Sequence, residues 1–483
     1  MRRLVLALVS LGFVGSHAAC KKDEAAKQTA EPGVAKPAVD PCTKAHAEGP
    51  LAWFRDDYAA ALACAQQNKL PLVVDLWAPW CHTCLSMKST VFQDPSFAAT
   101  ASKFVFVALD TDREVNAAAV DKFPIAAWPT FYVIGPDEAV LARFVGAASV
   151  AQFHAFLETG TRALAGGAAG PDAHLLAAER AVAAEDFATA ETELTAALAA
   201  APADWPRKAD ALVSLISSKH KRKDLVGCVE LAEKALDETG TAASATDFLY
   251  RAMACATELA KDSTDAAVLA RVQKLRERAV ARWQKLVDDP AAALSIDDRS
   301  DAMANLREAL IVLGRKDEAK AVAEKQRALV DDAAAKAPTP MAAMTYLWPR
   351  AELYVFLERP LDLVPDVEKL AAALPKEYDP PARLGWLYFK AGKLDDAAKW
   401  TDRALLLAYG PRKVRVLTQR ADIAKAQGDR SAERLFREEI VKTLERLPPG
   451  QATPAVITKA KQSLTDLDKP PAPAGSGSAP PPK

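Results

Sequence analysis

The spacing of apolar positions divides the chain into two kinds of segment. Leu72-Val73-Val74-Asp75-Leu76-Trp77, Phe104 to Leu109 and Thr130 to Ile134 are short runs rich in β-branched and aromatic side chains. That is the pattern of strands covered on both faces. Ala139 to Val145, after the Gly135-Pro136-Asp137 turn, gives a fourth strand. The stretch from Asp56-Asp57 through Tyr58, Leu62 and Cys64 to about Asn68 reads as a helix with acid at its start. Cys81 to about Thr90 and residues 113–122 read as two more, and Ser149 stands as the N-cap of a helix reaching about Leu164. The order helix, strand, helix, strand, helix, strand, strand, helix implies a mixed central sheet flanked by helices.

Beyond a small-residue linker at 165–171, strand signals stop. Residues 172–468 carry Ala, Leu and charge at helical period, with breaks at Pro202, Gly240, Pro290, Pro338, Pro375 and Pro411. Offsets recur within this half. Ala382 to about Tyr409 places Leu384, Gly385 and Tyr388 on one helix, Gly392 in a turn, and Ala397 and Ala404 on a second. Gly314 precedes Ala319 and Ala323; Lys223 precedes Cys228, Ala232 and Ala235; Glu185 precedes Ala190, Leu194 and Ala197. Gly428 follows Gly392 by 36 residues. The pattern resembles the tetratricopeptide repeat, in which small residues sit where paired helices touch. The resemblance implies an all-α repeat domain able to recruit a protein partner; a purely structural extension is the alternative.

Composition adds limits. A chain of 483 residues is too long for one core, so two or three units are expected. Lys plus Arg total 62 and Asp plus Glu 63, a formal net charge of −1 that gives no basis for a nucleic-acid partner. Arg2 and Arg3, the apolar run Leu4 to Val14 and the small residues before Cys20 read as an export signal over residues 1–19, too short to span a bilayer as a mature helix. Ala18-Ala19-Cys20 resembles a bacterial lipoprotein signal, which implies lipidation of Cys20 and a lipid anchor at the periplasmic face of the outer membrane. His17 stands where that family usually has Leu, so ordinary cleavage near Ala18 stays open. Residues 20–50 read as a disordered tether and 469–483 as a disordered Pro-rich tail. No later segment is apolar enough to span a membrane.

Export sets the redox compartment, because disulfides persist outside the cytoplasm. With Cys20 set aside, six cysteines remain, and six can pair completely. Cys81–Cys84 is the local pair. Cys42 with Cys64, and Cys228 with Cys255, are candidate structural bridges among the connectivities the sequence leaves open.

The candidate chemistry lies in Asp75-Leu76-Trp77-Ala78-Pro79-Trp80-Cys81-His82-Thr83-Cys84. A Cys at a helix N-terminus faces unpaired N–H groups and the positive end of the dipole, which favour thiolate. Two intervening residues bring Cys84 within bonding range of the first sulfur. Zinc binding is the rival use of this spacing, but the chain has no second such pair. Cys42-x-x-x-His46 is its sole other metal-like spacing, so no metal is expected.

Over about residues 52–160 the chain resembles the thioredoxin-like family, in the branch that includes the C-terminal periplasmic domain of the disulfide reductase DsbD. The resemblance rests on strand–Trp80-Cys81-x-x-Cys84–helix, Val91-Phe92-Gln93-Asp94-Pro95, Val107-Ala108-Leu109-Asp110 and Trp128-Pro129-Thr130. It implies an α/β thioredoxin-like domain at 51–164, ahead of the helical repeats. It also implies dithiol–disulfide exchange with no cofactor beyond the cysteine pair. Cys81 would attack a protein disulfide and Cys84 resolve the mixed disulfide, a thiol redox partner completing the cycle. Asp75 would be a buried acid that takes the Cys84 proton, against the alternative of a strand-end Asp facing solvent. Pro129 would be a cis-proline facing the pair, with Trp128, Trp80 and His82 at the substrate site. His82 either stabilises the thiolate or is a spacer, and Trp77 reads as core. A different class of function stays in play: a binding scaffold in which Cys81–Cys84 is a static bridge.

Overall fold

The structure is a computed structural model, and it describes residues 40–125 and 127–468. The expected signal segment, Cys20, most of the tether and the Pro-rich tail lie outside the described residues.

Six strands form one mixed sheet: β1 His46–Glu48, β2 Leu51–Arg55, β3 Leu72–Trp77, β4 Val105–Asp110, β5 Thr130–Ile134 and β6 Val140–Val145. Their spatial order is β1-β2-β4-β3-β5-β6. Strand β4 runs parallel to β2 and β3, whereas β1, β5 and β6 pair antiparallel with their neighbours. The alternation of a pleated strand sorts the side chains into two cores. Val73, Phe106, Ala108, Phe131 and Val133 face one way, onto helices α2 His82–Ser89 and α5 Val150–Gly166. Leu72, Val74, Leu76, Val107 and Leu109 face the other, onto α1 Tyr58–Asn68 and α4 Ala117–Lys122. A short helix, α3 Ala98–Ala101, precedes β4.

Two sequence expectations are corrected here. Residues 41–50 are not tether. Pro41–Lys44 forms a 3₁₀ turn, and β1 pairs with β2 in register His46↔Trp53. A Cys42–Cys64 disulfide fastens the turn to α1. A covalent cross-link and an edge-strand pairing hold these residues in regular structure. The pattern also gave no strand at 51–55, because Leu51, Trp53 and Phe54 lacked a clean period. The 165–171 linker shrinks to residues 167–169, since α5 runs to Gly166 and α6 begins at Gly170.

The remaining described residues are helical: α6 Gly170–Ala183, α7 Phe187–Ala200, α8 Lys208–Lys221, α9 Leu225–Ala235, α10 Ala243–Lys261, α11 Ala266–Asp288, α12 Ile296–Val312, α13 Lys316–Ala335, α14 Pro340–Ala343, α15 Leu347–Phe356, α16 Val364–Ala373, α17 Asp379–Lys390, α18 Leu394–Leu405, α19 Gly410–Ala426, α20 Arg430–Arg446 and α21 Pro454–Thr465. Successive hairpins such as α6/α7, α12/α13, α17/α18 and α19/α20 pack as pairs. Their turns hold one left-handed residue each: Glu185, Gly314, Gly392 and Gly428, with Lys223 doing the same between α8 and α9. Just past each turn the small residues meet. Ala190, Cys228, Ala319 and Ala397 are fully buried. A Cβ on Gly385 would fall 2.2 Å from Thr401 Oγ1 of the paired helix, so closeness there requires glycine. Cys228 on α9 is disulfide-bonded to Cys255 on α10.

The first helices of these hairpins lie against the sheet domain. Buried Arg207, at the start of α8, donates to the carbonyl of Arg143 on β6 and pairs with Glu179 of α6. Gln152 of α5 donates to Ser244 Oγ of α10. Further along, α12, α14 and α19 reach the N-terminal end of α2.

Candidate functional site

Strand β3 ends at Trp77, and a short loop delivers Cys81 to the N-cap of α2. Cys81 has extended backbone, and its Sγ accepts a hydrogen bond from Cys84 N–H at 3.0 Å. The two cysteines are disulfide-bonded, with Cα atoms 5.2 Å apart. Both are nearly covered, Cys81 5% and Cys84 2% exposed. The Trp128–Pro129 peptide bond is cis. Trp128 crosses Trp80 edge-on at 5.1 Å and donates from Nε1 to Thr111 Oγ1.

Asp75 lies on β3, two residues before the strand ends at Trp77. Pleat alternation points it to the same side as Val73 and Trp77, toward α2, and it is 2% exposed. The alternative of a solvent-facing Asp75 is therefore corrected. Burial pushes its carboxyl well above the usual range, and the charges of Lys88 and Arg55 pull only partly against that. Lys88 enters from α2, where burial pushes its ammonium down. Glu48 of β1 holds Arg55 through Nε at 2.8 Å and through a second, shorter contact. Asp75 Oδ1 has no hydrogen-bond partner among the described residues. A carboxyl so placed, kept partly protonated near neutral pH, can give up or take on a proton there.

Around the pair, the helical half closes in. His82 Nδ1 lies 3.0 Å from both carboxylate oxygens of Asp297 on α12. Burial lowers the His82 imidazole, but Asp297 and Asp301 outweigh it and raise the group to about 10. Ser86 Oγ meets Ser295 Oγ at 3.2 Å. Trp80 donates to Asp112 at 2.7 Å and carries the Arg412 guanidinium 4.4 Å from its ring centre. Burial pushes Asp112 up to about 6 against its hydrogen bond from Trp80 and the charge of Arg412. Tyr409 OH donates to Asp110 at 2.5 Å, and Gln451 donates to the Thr111 carbonyl. Beside these contacts opens a cleft of about 680 Å³, bordered by Arg113, Lys376, Tyr409, Lys413 and Arg446.

His82, Asp297 and Asp301 are the one group among the described residues whose ligand-type atoms gather within 4.8 Å. With Nδ1 already spanning the Asp297 carboxylate, it reads as an acid–imidazole pair. The structure thus gathers Cys81, Cys84, Asp75, Pro129, Trp128, Trp80 and His82 at one end of the sheet. Cys42–Cys64 and Cys228–Cys255 lie apart from it as bridges within their own domains. Sequence reasoning missed Arg55, Lys88 and Glu48 around Asp75. It also missed Asp112, Asp297 and Arg412 around the pair. Ser295-x-x-Asp298 does mark the start of α12 as a capping box, but nothing ties that helix to a residue more than 200 positions away.

Residues 52–136 match the thioredoxin-like family. Two curated proteins named "Thiol:disulfide interchange protein DsbD", from Vibrio vulnificus strains CMCP6 and YJ016, are each 38% identical over 52 residues, 11% of this chain. The match covers only 9% of the length of those relatives. Among solved structures, a tetratricopeptide repeat protein from Parabacteroides merdae aligns with 61% of this chain and 98% of its own, at 16% identity and a TM-score of 0.38. YrrB, described as a TPR protein with an unusual peptide-binding site, aligns with 44% of this chain and 99% of its own, at 16% identity and a TM-score of 0.24. The first domain is thioredoxin-like, with a Cys-x-x-Cys pair capping its helix. The chain joins it to successive helical hairpins.

Proposed function

We propose that this chain is an exported thiol–disulfide oxidoreductase that reduces protein disulfides through Cys81 and Cys84. One observation carries the reading: Cys81 Sγ is the N-cap of α2, accepting the Cys84 N–H, and Asp75 on the preceding strand is a buried acid. When the pair is reduced, that N–H and the helix dipole favour the Cys81 thiolate. The thiolate attacks a substrate disulfide and forms a mixed disulfide, expelling one substrate thiolate. Cys84, its proton passed to Asp75, then attacks Cys81 Sγ. The second substrate thiolate leaves, and Cys81–Cys84 is oxidised. A thiol partner reduces it again, and no cofactor is needed beyond the two sulfurs.

Export, and a lipid anchor at Cys20 on the periplasmic side of the outer membrane, are part of the proposal. Arg2, Arg3, the run to Val14 and Cys20 support them, as do two further disulfides that suit an oxidising compartment. The test is the reduction potential of the 81/84 pair against glutathione, together with trapping by Cys84→Ala. A potential in the reducing range and recovery of mixed disulfides on Cys81 are expected. A pair that stays oxidised in dithiothreitol and traps nothing would sink the proposal.

The near-complete cover over both sulfurs favours a second reading, a scaffold whose Cys81–Cys84 bridge is static. The same titration decides between the two.

A further inference from the structure

We propose that Asp297, on the first helix of a repeat hairpin, is a positioning residue of the redox site, holding His82 as an imidazolium beside Cys81. The inference rests on the dithiol reading above and adds that the helical half supplies part of the site's electrostatics.

The geometry is specific. His82 is the first residue of α2, next to the cysteine whose sulfur caps that helix. Both oxygens of Asp297 stand 3.0 Å from Nδ1, the arrangement of a carboxylate facing an N–H. The Asp297 side chain is completely buried, while that of His82 keeps 21% of its surface. A carboxylate removed from water needs a charged or strongly donating partner, and His82 is the one placed to serve. A neutral imidazole could donate only one such bond and would leave that charge uncompensated.

The charged groups facing His82 come from two elements besides its own. Helix α12 contributes Asp297, Asp298 and Asp301, and α17 contributes Arg383. Asp247 of α10 stands behind, toward Asp298 and Asp301. Burial pushes Asp298 and Asp247 up to about 6, and it raises Asp301 as well. The acids therefore crowd one another; a cation at His82 relieves Asp298 and Asp301, while Arg251 relieves Asp247. That cation adds to the helix N-terminus in favouring a thiolate at Cys81. Asp297 acts on the sulfur only through the imidazole.

The sign of one substitution separates this relay from a direct effect. A carboxylate acting straight on Cys81 would disfavour the thiolate, so its loss would lower the thiol pKa. The relay predicts the reverse. The experiment uses the full chain, reduced and kept in EDTA, with iodoacetamide alkylation of Cys81 followed by peptide mass spectrometry across pH. Asp297→Asn should raise the Cys81 midpoint by about one unit, which is about tenfold slower alkylation below it. Asp297→Glu should restore the rate to within about threefold, and Asp297→Asn combined with His82→Asn should add nothing to His82→Asn alone. An unchanged or lowered midpoint in Asp297→Asn, or additive effects, would overturn the proposal. A second measurement needs no variant. Deuterium exchange at the His82 imidazole C2 position in the oxidised native chain should have a midpoint well above that of free histidine, and an ordinary midpoint near 6.5 refutes the pairing. If the native Cys81 itself titrates like free cysteine, the thiolate mechanism fails instead, so the two failures are distinguishable.

Discussion

Asp75 and Asp112 are both acids taken out of water, and their surroundings give them different consequences. Asp75 is buried on β3 with an unbonded oxygen, and the proposed exchange gives it a chemical role. Asp75→Asn should slow release of substrate from the mixed disulfide by about ten- to a hundredfold, the usual range for a lost general base. Cys81 alkylation should change by less than about threefold, and stopped-flow tryptophan fluorescence would resolve the two steps. Asp112 serves instead as an acceptor for Trp80 at the contact with the helical half. Its folded pKa of about 6 lies above the ordinary value of 3.8. The native state therefore binds this proton more tightly than the unfolded chain does. The group's contribution is fullest below about pH 4 and is lost as pH rises through about 6. An amide keeps the acceptor and removes the charge. Asp112→Asn should thus gain stability relative to the native chain as pH rises from about 4 to 7, by about 3 kcal/mol at most, read from urea midpoints at each pH.

At the scale of elements, two features hold the helices in place. Gly410 opens α19 with φ of 53°, and a Cβ there would lie 1.9 Å from the Asp112 carbonyl oxygen. That atom is backbone and cannot swing aside, so Gly410→Ala must push α19 off the sheet domain. A loss of about 2–3 kcal/mol is expected, with a red shift of tryptophan emission as Trp80 loses its cover. The second is the Cys228–Cys255 bridge, which closes a separation of 27 residues between α9 and α10. Both sulfurs are fully buried among Ile216, Ala232 and Phe248. Replacing both cysteines with Ala should lower stability by about 3 kcal/mol, the chain-entropy value for such a loop, measured by thermal or urea unfolding.

In the whole molecule, the hairpins do not hang behind the redox domain as a separate arm. Helices α6 and α8 hold β6, α10 meets α5, α12 meets α2, and α19 with residue 451 meets the segment after β4. Several of the helices expected to recruit a partner contact the chain's own first domain. Access to Cys81 should then depend on size. After reduction, iodoacetamide should modify Cys81 readily, whereas a bulky polyethylene-glycol maleimide should react about a hundredfold more slowly than with an exposed thiol, because it must wait for the domains to part. Equal relative rates would show that the cover is not a barrier. Gly410→Ala should narrow the gap, since it acts on the same contact.

The sequence by itself determined the local order of the first domain and the helical nature of the rest, because periodicity, caps and turn residues act over a few positions. Trp80-Cys81-x-x-Cys84 at a strand-to-helix junction was legible for the same reason, as was the burial of Asp75 from its apolar neighbours. Strand β1 and the fold of residues 41–50 were not legible, because a bridge to Cys64 and pairing with β2 hold them against local preference. Nor could the sequence place Arg55 and Lys88 beside Asp75, Asp112 and Arg412 against Trp80, or Asp297 against His82. Those side chains come from elements brought together by packing over up to about 330 positions, and no local pattern encodes which charge will face which. Only the tertiary structure decided that the repeats pack on His82, Ser86 and Trp80 beside the redox pair, since that depends on how successive hairpins turn in space.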